Sequence, residues 1–206
     1  MGLTIYLLIG NFHIKLLNLT TTMPDKREQL ESIATKAIQK DGVRSVSFRT
    51  LADAVGVKSA SVHYHFPTKS DLTHAVVAGY TTQFVDRLEA LERKHRTLSG
   101  KLNAFIRIFD EVLADDDLCL CGMMAAELTS LDAATQQALK KFFSEAETWL
   151  EQTIDTHADE LTAPLPGKHL AKVLMSGLEG AVLLDRVEGG DDRLRAMRAL
   201  VKAVLA

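Results

Sequence analysis

Apolar residues recur every three or four positions along most of this chain, which is the spacing of an amphipathic α-helix. Leu30, Ile33, Ala34 and Ile38 form one such stripe, which ends at Gly42. No segment alternates apolar and polar residues in the manner of a half-buried strand. The pattern therefore predicts an all-α protein.

Two short helices joined by a tight turn are predicted ahead of Phe66. Ser47 can cap the first helix, and Gly56 can end it because glycine tolerates the left-handed backbone of a helix C-terminus. The second helix runs from about Lys58 to His65, and its length of roughly 12 Å matches a DNA major groove. Two helices in this order predict a helix-turn-helix.

A long helix is predicted after Pro67, because Thr68-Lys69-Ser70-Asp71 has the capping-box pattern. It runs from about Leu72 to Arg96 and is the only continuous element that leaves the first part of the chain. We therefore expect it to act as the lever between that part and the rest. Further helices are predicted at about 102–113, 121–131, 133–158, 168–187 and 192–205.

The segment from Gly56 to Leu72 resembles the TetR family of transcriptional regulators, whose pattern is roughly Gly-Val-Ser-x-Gly-x-Leu-Tyr-x-His-Phe-x-x-Lys-x-x-Leu. Two positions depart from it: Ala60 replaces a frequent Gly, and His63 occupies the usual Tyr position. The resemblance is strong over residues 26–72 and weaker beyond them. It implies a three-helix DNA-binding head at 24–71, and a larger helical body for ligand binding and dimerisation at 72–206.

The net charge of −3 is divided unevenly along the chain. Residues 24–70 carry eight Lys and Arg against five Asp and Glu, a charge of +3, whereas the residues from 71 onward carry −7 and Lys15 adds the remaining +1. A basic head on an acidic body suits a DNA-binding protein, although chance asymmetry of two solvated surfaces has the same appearance. With 47% hydrophobic and 25% charged residues, the composition is that of an ordinary globular protein.

The DNA contacts are expected to come from the two motif helices and from the start of the long helix. Lys58 and Lys69, with the backbone amides near Thr68, are predicted to hold phosphates. Arg49 and Ser47 on the first helix are predicted to contact the flanking strand. The residues predicted to face base edges or the adjoining backbone are Ser59, Ala60, Ser61, His63 and Tyr64.

Bulky apolar residues of the body are predicted to line an adaptable ligand pocket. The predicted set is Phe84, Phe105, Phe109, Met123, Phe142 and Trp149. A filled core has the same periodicity, so that alternative stays open. Glu127 lies on an otherwise apolar helix and is a candidate polar anchor for the ligand, with a surface or salt-bridged Glu as the alternative.

The last two helices have a wide apolar face, which the family resemblance implies is a four-helix dimer interface. The predicted interface residues are Leu170, Val173, Leu174, Gly177, Leu178, Ala181, Leu194, Met197 and Val201. The alternative is that this face closes the core of the monomer. Helix-turn-helix proteins usually bind two half-sites as dimers, which favours the interface.

Residues 1–23 form an extension ahead of the predicted head. The apolar run from Leu3 to Ile9 is too short for a membrane span and lacks the basic start of a secretory signal. We expect a dispensable tail or the product of an upstream start codon, with Met23 as the alternative start. A short helix that packs on a partner is the alternative.

Cys119 and Cys121 flank one leucine, so they do not indicate a disulfide framework, and a reducing cytoplasm is the expected location. The pair could sense electrophiles or oxidants, or could simply be two small buried residues. Convergent histidines are absent from the sequence pattern, so neither a metal site nor a cofactor is expected. Catalytic motifs are also absent, and an enzyme is not expected.

The sequence therefore predicts a homodimeric, TetR-like regulator, a repressor that a small molecule releases from a palindromic operator. Two alternatives remain: a redox- or electrophile-sensing regulator acting through Cys119 and Cys121, and a helical ligand-binding module with only a secondary DNA role. A purely structural helical adaptor is a third class.

Overall fold

The computed structural model describes residues 6–9, 12–15, 25–162 and 166–205. Its α-helices within these ranges are α1 (Lys26–Asp41), α2 (Phe48–Val55), α3 (Ser59–His65), α4 (Lys69–Lys94), α5 (Leu98–Ala114), α6 (Leu120–Ala126), α7 (Ala133–Thr156), α8 (Gly167–Glu188) and α9 (Asp192–Val204). These helices form both the head and the body, which confirms the prediction of an all-α fold. Across the described ranges, no helix combines the length and the apolar character that a membrane span requires.

The N-terminal extension contains two short strands, β1 (Tyr6–Ile9) and β2 (Phe12–Lys15). They pair antiparallel, with Tyr6 opposite Lys15 and Ile9 opposite Phe12. The alternative of a short helix is therefore wrong for these residues. The remaining residues of the extension lie outside the described part of the chain, and its dispensability stays a prediction.

Helices α1, α2 and α3 pack around one small core to form the head. Leu30, Ile38 and Val62 are fully buried there, and Phe66 closes the core at the end of α3 with 1% exposure. Because α3 has only seven residues, its position depends on this burial rather than on its own helix stability. The head thus holds α3 rigidly against α1 and α2.

Two capping boxes set the directions of the head helices. At the start of α2, Ser47 Oγ accepts the backbone N–H of Thr50 at 3.1 Å, and Thr50 Oγ1 accepts that of Ser47 at 3.2 Å. Gly56 ends α2 in the left-handed conformation (φ 71°, ψ 37°), as its sequence position predicts. Each such cap typically stabilises a helix by about 1 kcal/mol.

The body is a bundle of α4 to α9, in which α7 packs on both α4 and α8, and α9 packs on α5 and α8. Its core is continuous with that of the head, since buried Leu72, Val76 and Val77 on α4 extend the same apolar cluster. Helix α4 therefore belongs to both parts, as the sequence predicts.

Buried Asp185 fixes the corner between α8 and α9. Its carboxylate accepts the backbone N–H groups of Arg193 and Leu194 at 3.0 Å and pairs with the Arg193 guanidinium at 3.2 Å. Although burial opposes ionisation, these hydrogen bonds hold the pKa of Asp185 below its usual range. The last two helices are thus locked as an antiparallel pair.

Candidate nucleic-acid interface

Helix α3 buries one side in the head and presents the other to solvent. Val62 is fully buried, whereas Tyr64 is 84% exposed. Four other predicted contact residues of this segment are also exposed: Lys58, Ser59, Ala60 and His63. Ser61 is half-buried. The structure therefore exposes all of this predicted set except Ser61.

His63 is exposed but not freely mobile. Its ring lies edge-on to the ring of Phe48 on α2, with centroids 4.6 Å apart and planes at 74°. Such edge-to-face pairs are favourable and stabilise this orientation of the ring. His63, at the position where the family usually has Tyr, is thus supported by Phe48 of the preceding helix.

The two predicted contact residues on α2 differ in their surroundings. Arg49 is exposed and has no hydrogen bond or ion pair among the described contacts, so its guanidinium is available to a phosphate. Ser47 is exposed too, but its hydroxyl caps α2. Its structural contribution is therefore to position α2.

The start of α4 supplies fewer backbone donors than the sequence suggested. The Thr68 N–H, predicted to be available to a phosphate, donates instead to Asp71 Oδ2 at 2.9 Å. Thr68 Oγ1 accepts the N–H of Asp71 at 3.1 Å, which completes a capping box. The backbone donors left in this first turn are those of Lys69 and Ser70, and the Lys69 side chain is exposed beside them.

Arg27, which no sequence motif singles out, positions α3. Its Nη1 donates to the backbone carbonyl of His65 at 3.0 Å, and its guanidinium lies 4.5 Å from the centroid of the Phe66 ring. Its Nε also pairs with Glu31 at 3.0 Å. A cation at a helix C-terminus stabilises the last carbonyls, so Arg27 holds the end of α3 against α1.

A second connection joins the head to the body at the C-terminal end of α1. Lys36 Nζ lies 2.6 Å from Asp117 Oδ2 and 3.1 Å from Asp115 Oδ2, and Lys40 Nζ lies 3.9 Å from Asp116 Oδ2. The hydrogen bonds to Asp117 and Asp115 raise the pKa of Lys36 above its usual value. The acidic run after α5 is therefore bound to the basic end of α1.

Backbone groups complete this connection, which we name the α1–body interface. Gln39 and Leu118 exchange two 3.1 Å hydrogen bonds, from Gln39 Nε2 to the Leu118 carbonyl and from the Leu118 N–H to the Gln39 carbonyl. The Val43 N–H donates to Glu127 Oε1 at 2.8 Å. The interface comprises Lys36, Gln39, Lys40, Val43 and Arg44 with Asp115, Asp116, Asp117, Leu118 and Glu127. Helix α4 is the continuous element between head and body, as predicted, and the α1–body interface adds non-covalent contacts that the sequence did not predict.

The head also matches a known family. The model of the bacterial regulatory proteins of the TetR family matches residues 32–76. A crystal structure of a TetR transcriptional regulator from Legionella pneumophila is 30% identical, covers 90% of this chain and 100% of its own, and superposes with a TM-score of 0.82. This chain belongs to the TetR family.

Two further relatives extend the similarity over the body. A TetR-family regulator from Agrobacterium tumefaciens is 25% identical over 88% of this chain and 98% of its own, with a TM-score of 0.83. The nicotine-responsive transcriptional repressor HdnoR of Paenarthrobacter nicotinovorans is 22% identical, covering 82% of this chain and 88% of its own. TetR-family proteins are DNA-binding regulators that act on operators as dimers, and they are not enzymes.

The predicted dimer interface of this TetR-family protein needs correction. Six of its nine side chains lie inside the core of a single chain, with exposures of 8% or less: Leu170, Leu174, Leu178, Ala181, Leu194 and Val201. Gly177 and Met197 are half-buried against each other. Only Val173 of the predicted set is exposed, at 54%.

A different face of α8 and α9 is apolar and exposed. Val173, Leu183, Leu184 and Val187 line one side of α8, and Leu200 of α9 adds to it, with exposures from 41% to 80%. Gly180 lies between them with open space above its backbone. An exposed apolar stripe of this kind marks an interaction surface.

The aromatic residues predicted to line a ligand pocket pack on one another. Phe142 contacts Phe84 with ring centroids 4.8 Å apart, Phe84 contacts Phe105 at 6.1 Å, and Phe105 stacks on Trp149 at 5.7 Å. Phe109 adjoins Phe105 at 5.8 Å. The rings are in mutual contact, and their contact with a ligand stays a prediction.

Glu127 lies outside this aromatic cluster, contrary to its predicted place as an anchor in the pocket. Besides the Val43 N–H, its carboxylate faces Arg44, with Nε and Oε2 3.5 Å apart. Met123, one helical turn earlier, approaches Gly42 of the head. Both residues thus belong to the contact between α6 and the head.

A polar cluster lies inside the body, and of its members the sequence pattern singled out only the two cysteines. It is formed by Tyr80 of α4, Cys119 and Cys121 at the start of α6, and Glu179 of α8. Cys119 is 4% exposed and Cys121 is fully buried. Burial and the charge of Glu179 raise the pKa of both thiols well above the usual range. Protonated, buried thiols are poor nucleophiles, which disfavours redox or electrophile sensing through these cysteines.

Glu179 is the unusual member of the cluster. Burial raises its pKa to about 7, and a hydrogen bond with Cys119 offsets only part of the increase. Its Oε1 is buried without a hydrogen-bond partner in the described part of the chain. On α6, a Cβ at Gly122 would meet this carboxylate, so the glycine leaves room for the Glu179 side chain beside α6.

Proposed function

We propose that this TetR-family protein is a homodimeric transcriptional repressor that a small molecule bound in its helical body releases from a palindromic operator. The observation that carries the proposal is the double attachment of the head. The continuous helix α4 and the α1–body interface both join it to the bundle, so movement of α6 against α8 reaches α3. The relative HdnoR is named a nicotine-responsive repressor, which supports the same class of response here.

In the proposed complex, α3 enters the major groove. The exposed residues Ser59, Ala60, His63 and Tyr64, together with half-buried Ser61, face base edges or the nearby backbone. Lys58, Lys69 and Arg49 neutralise phosphates on either side of the groove. Ser47 and Thr68 act mainly as helix caps that orient these side chains.

Dimerisation supplies the two-fold symmetry of the operator. We assign the interface to the exposed stripe of Val173, Leu183, Leu184, Val187 and Leu200, because its burial removes the largest exposed apolar residues of α8 and α9 from water. Two copies of the α8–α9 pair then form a four-helix contact. Half-site centres about one helical turn or a multiple apart follow from this symmetry.

Release requires that the ligand binds one arrangement of the heads better than the other. A tenfold loss of operator affinity corresponds to about 1.4 kcal/mol of coupling, and the operator must weaken the ligand by the same factor. The ligand site is placed in the body, among the aromatic cluster and α6. Displacement of α6 would pull on Glu127 and thereby on Val43 in the head.

Footprinting on DNA that flanks the protein's own gene tests the operator proposal, and a protected palindrome is expected. Titration of a small-molecule panel with and without that DNA then tests release. A compound that binds equally well in both cases is not the effector. The proposed function is refuted if no site is protected and if the protein also selects no specific sequence from randomised DNA.

A further inference from the structure

Glu179 is a carboxylate inside the body for which the described residues supply no cation. It lies on α8, where Cys119 is its hydrogen-bonding neighbour and Gly122 of α6 passes directly over it. Its Oε1 is buried and has no partner in the described ranges. Burial of an uncompensated carboxyl group is costly, and such groups in native proteins require an explanation.

Tyr80, which like Glu179 is a hydrogen-bonding neighbour of Cys119, begins a line of aromatic rings through the bundle. Tyr80 is close enough for the charge of Glu179 to help raise its pKa, although burial is the larger cause. The Tyr80 ring lies 5.6 Å from that of Phe142, and further ring contacts continue through Phe84 and Phe105 to Trp149. At the far end, the Trp149 Nε1–H is also buried without a partner among the described residues.

A carboxylate beside aromatic faces is the arrangement that recognises an organic cation. The carboxylate neutralises the charge, and the rings attract it through their negative faces while packing on its apolar part. The unpaired indole N–H at the other end is suited to an acceptor atom of the same ligand. A cation stabilises the ionised form of Glu179, which a neutral or anionic ligand does not.

We propose that Glu179 is the recognition carboxylate of the effector site and that the effector is an organic amine or ammonium compound with an apolar or aromatic body. This inference rests on the proposed function and names its ligand class. The cation lies between the Glu179 carboxylate and the rings of Tyr80 and Phe142. The apolar part of the ligand extends towards Phe84 and Phe105.

The packing around Glu179 explains how such a ligand acts on the head. The carboxylate lies against α6 at Gly122, so a cation bound to it would press on this seven-residue helix. Met123 and Met124 on the same helix have flexible side chains that adapt to a new neighbour. The end of α6 carries Glu127, whose bond to Val43 fixes the head.

The test uses matched pairs of arylalkyl compounds, such as 4-phenylbutylamine with 4-phenylbutanol, and primary, tertiary and quaternary amines each with a neutral analogue. Trp149 is the single tryptophan of the chain and reports binding by fluorescence, with calorimetry as a second measurement. The wild-type protein is expected to bind amines at least tenfold more tightly than their neutral partners. Equal affinity within every pair, or no binding of any amine, would overturn the proposal.

Glu179→Gln tests the carboxylate itself. The substitution is expected to abolish the preference for the amine while leaving affinity for the alcohol unchanged, which also shows that the variant is folded. The matched control is Glu145→Gln on α7, which lines the open groove between α4 and α7 and should preserve the preference. Loss of the preference in the Glu145 variant alone would place the cation in that groove and overturn the role of Glu179.

Operator binding measured in the same samples separates the two proposals. If a neutral compound releases the operator equally from the wild type and from Glu179→Gln, small-molecule control stands and the recognition role of Glu179 is overturned. If no operator is found, the proposed function is refuted, whether or not the protein binds amines. Release by amines from the wild type, and not from the Glu179 variant, is the result expected when both are correct.

Discussion

The carboxylate of Glu127 in the body accepts the backbone N–H of Val43 in the head, at 2.8 Å from Oε1. Gly42, the preceding residue, makes this contact possible in two ways. Its backbone has φ 82°, which favours glycine, and an added Cβ would approach Glu127 Oε1 to 2.5 Å. The residue that caps the C-terminus of α6 is thus hydrogen-bonded directly to the segment that leads into the helix-turn-helix.

Glu127→Ala is expected to loosen the head from the body. It leaves the Val43 N–H without its acceptor, at a cost of about 1–3 kcal/mol in the free energy of unfolding. Hydrogen exchange should show the Val43 amide exchanging at least tenfold faster. Glu145→Ala on the surface of α7 serves as the control, and unchanged exchange at Val43 in the Glu127 variant would contradict the structural role of this bond.

Two substitutions in the head should affect DNA binding differently. Lys69→Ala removes one phosphate contact, so it should weaken binding to all sequences and reduce the slope of log affinity against log salt by about 0.9. His63→Ala should change the preference at particular base pairs, at a cost of about 1–3 kcal/mol at those positions. Fluorescence anisotropy with single-base variants of the operator measures both.

The control for these DNA variants is Lys140→Ala on the exposed surface of α7, which should leave the affinity unchanged. A uniform loss over all operator variants for both Lys69→Ala and His63→Ala would refute the assigned division between phosphate and base contacts.

Val187→Asp is expected to break the dimer. Val187 is 80% exposed on the apolar stripe of α8, and a charge there would be buried without a partner in the proposed four-helix contact. Analytical ultracentrifugation should show a monomer, with operator affinity lowered at least tenfold. Leu128→Asp, on an exposed leucine outside this stripe, should remain dimeric, and a Val187 variant that also stays dimeric would disprove the assigned face.

Stability should fall as the pH rises, in part because of Glu179. Its pKa is raised from 4.5 to about 7, so between these values the folded chain binds more protons than the unfolded chain, and the free energy of unfolding decreases with pH. Above about pH 7 this contribution is constant, after a total loss on the order of 3 kcal/mol.

Glu179→Gln does not titrate, so this component of the pH dependence should be absent from the variant. Urea unfolding at about pH 5 and about pH 8, at one fixed protein concentration, measures the difference. The control Glu145→Gln should lose stability with pH as the wild type does. An identical pH dependence in the Glu179 variant and the wild type would show that this carboxyl is not buried in solution.

Local sequence signals predicted the head well. Ser47, Gly56 and Thr68 each act through neighbours within four residues, so their caps and turns follow from the order of residues alone. The exposed side of α3 followed in the same way, because Val62 and Phe66 mark the buried side. The exception is the Thr68 N–H, which its own capping box uses.

Periodicity failed where a helix is apolar on more than one side. On α8, Leu174 and Leu178 face the core of the chain, whereas Leu184 and Val187 face solvent. All four are apolar, so the sequence pattern could not distinguish the interior face from the exposed one. Likewise, aromatic spacing cannot show whether Phe105 and Phe142 surround a cavity or fill it.

By itself, the sequence determined the helical fold class, the helix-turn-helix and its caps, and the resemblance to one family, because each depends on contacts between residues close in the chain. Only the tertiary structure decided which contacts join distant segments. It placed Glu127 against Val43, sealed Cys119 and Cys121 in the core, and brought Glu179 to Gly122 and Tyr80. These pairs lie far apart in sequence, and their chemistry depends on burial, which a linear pattern does not contain.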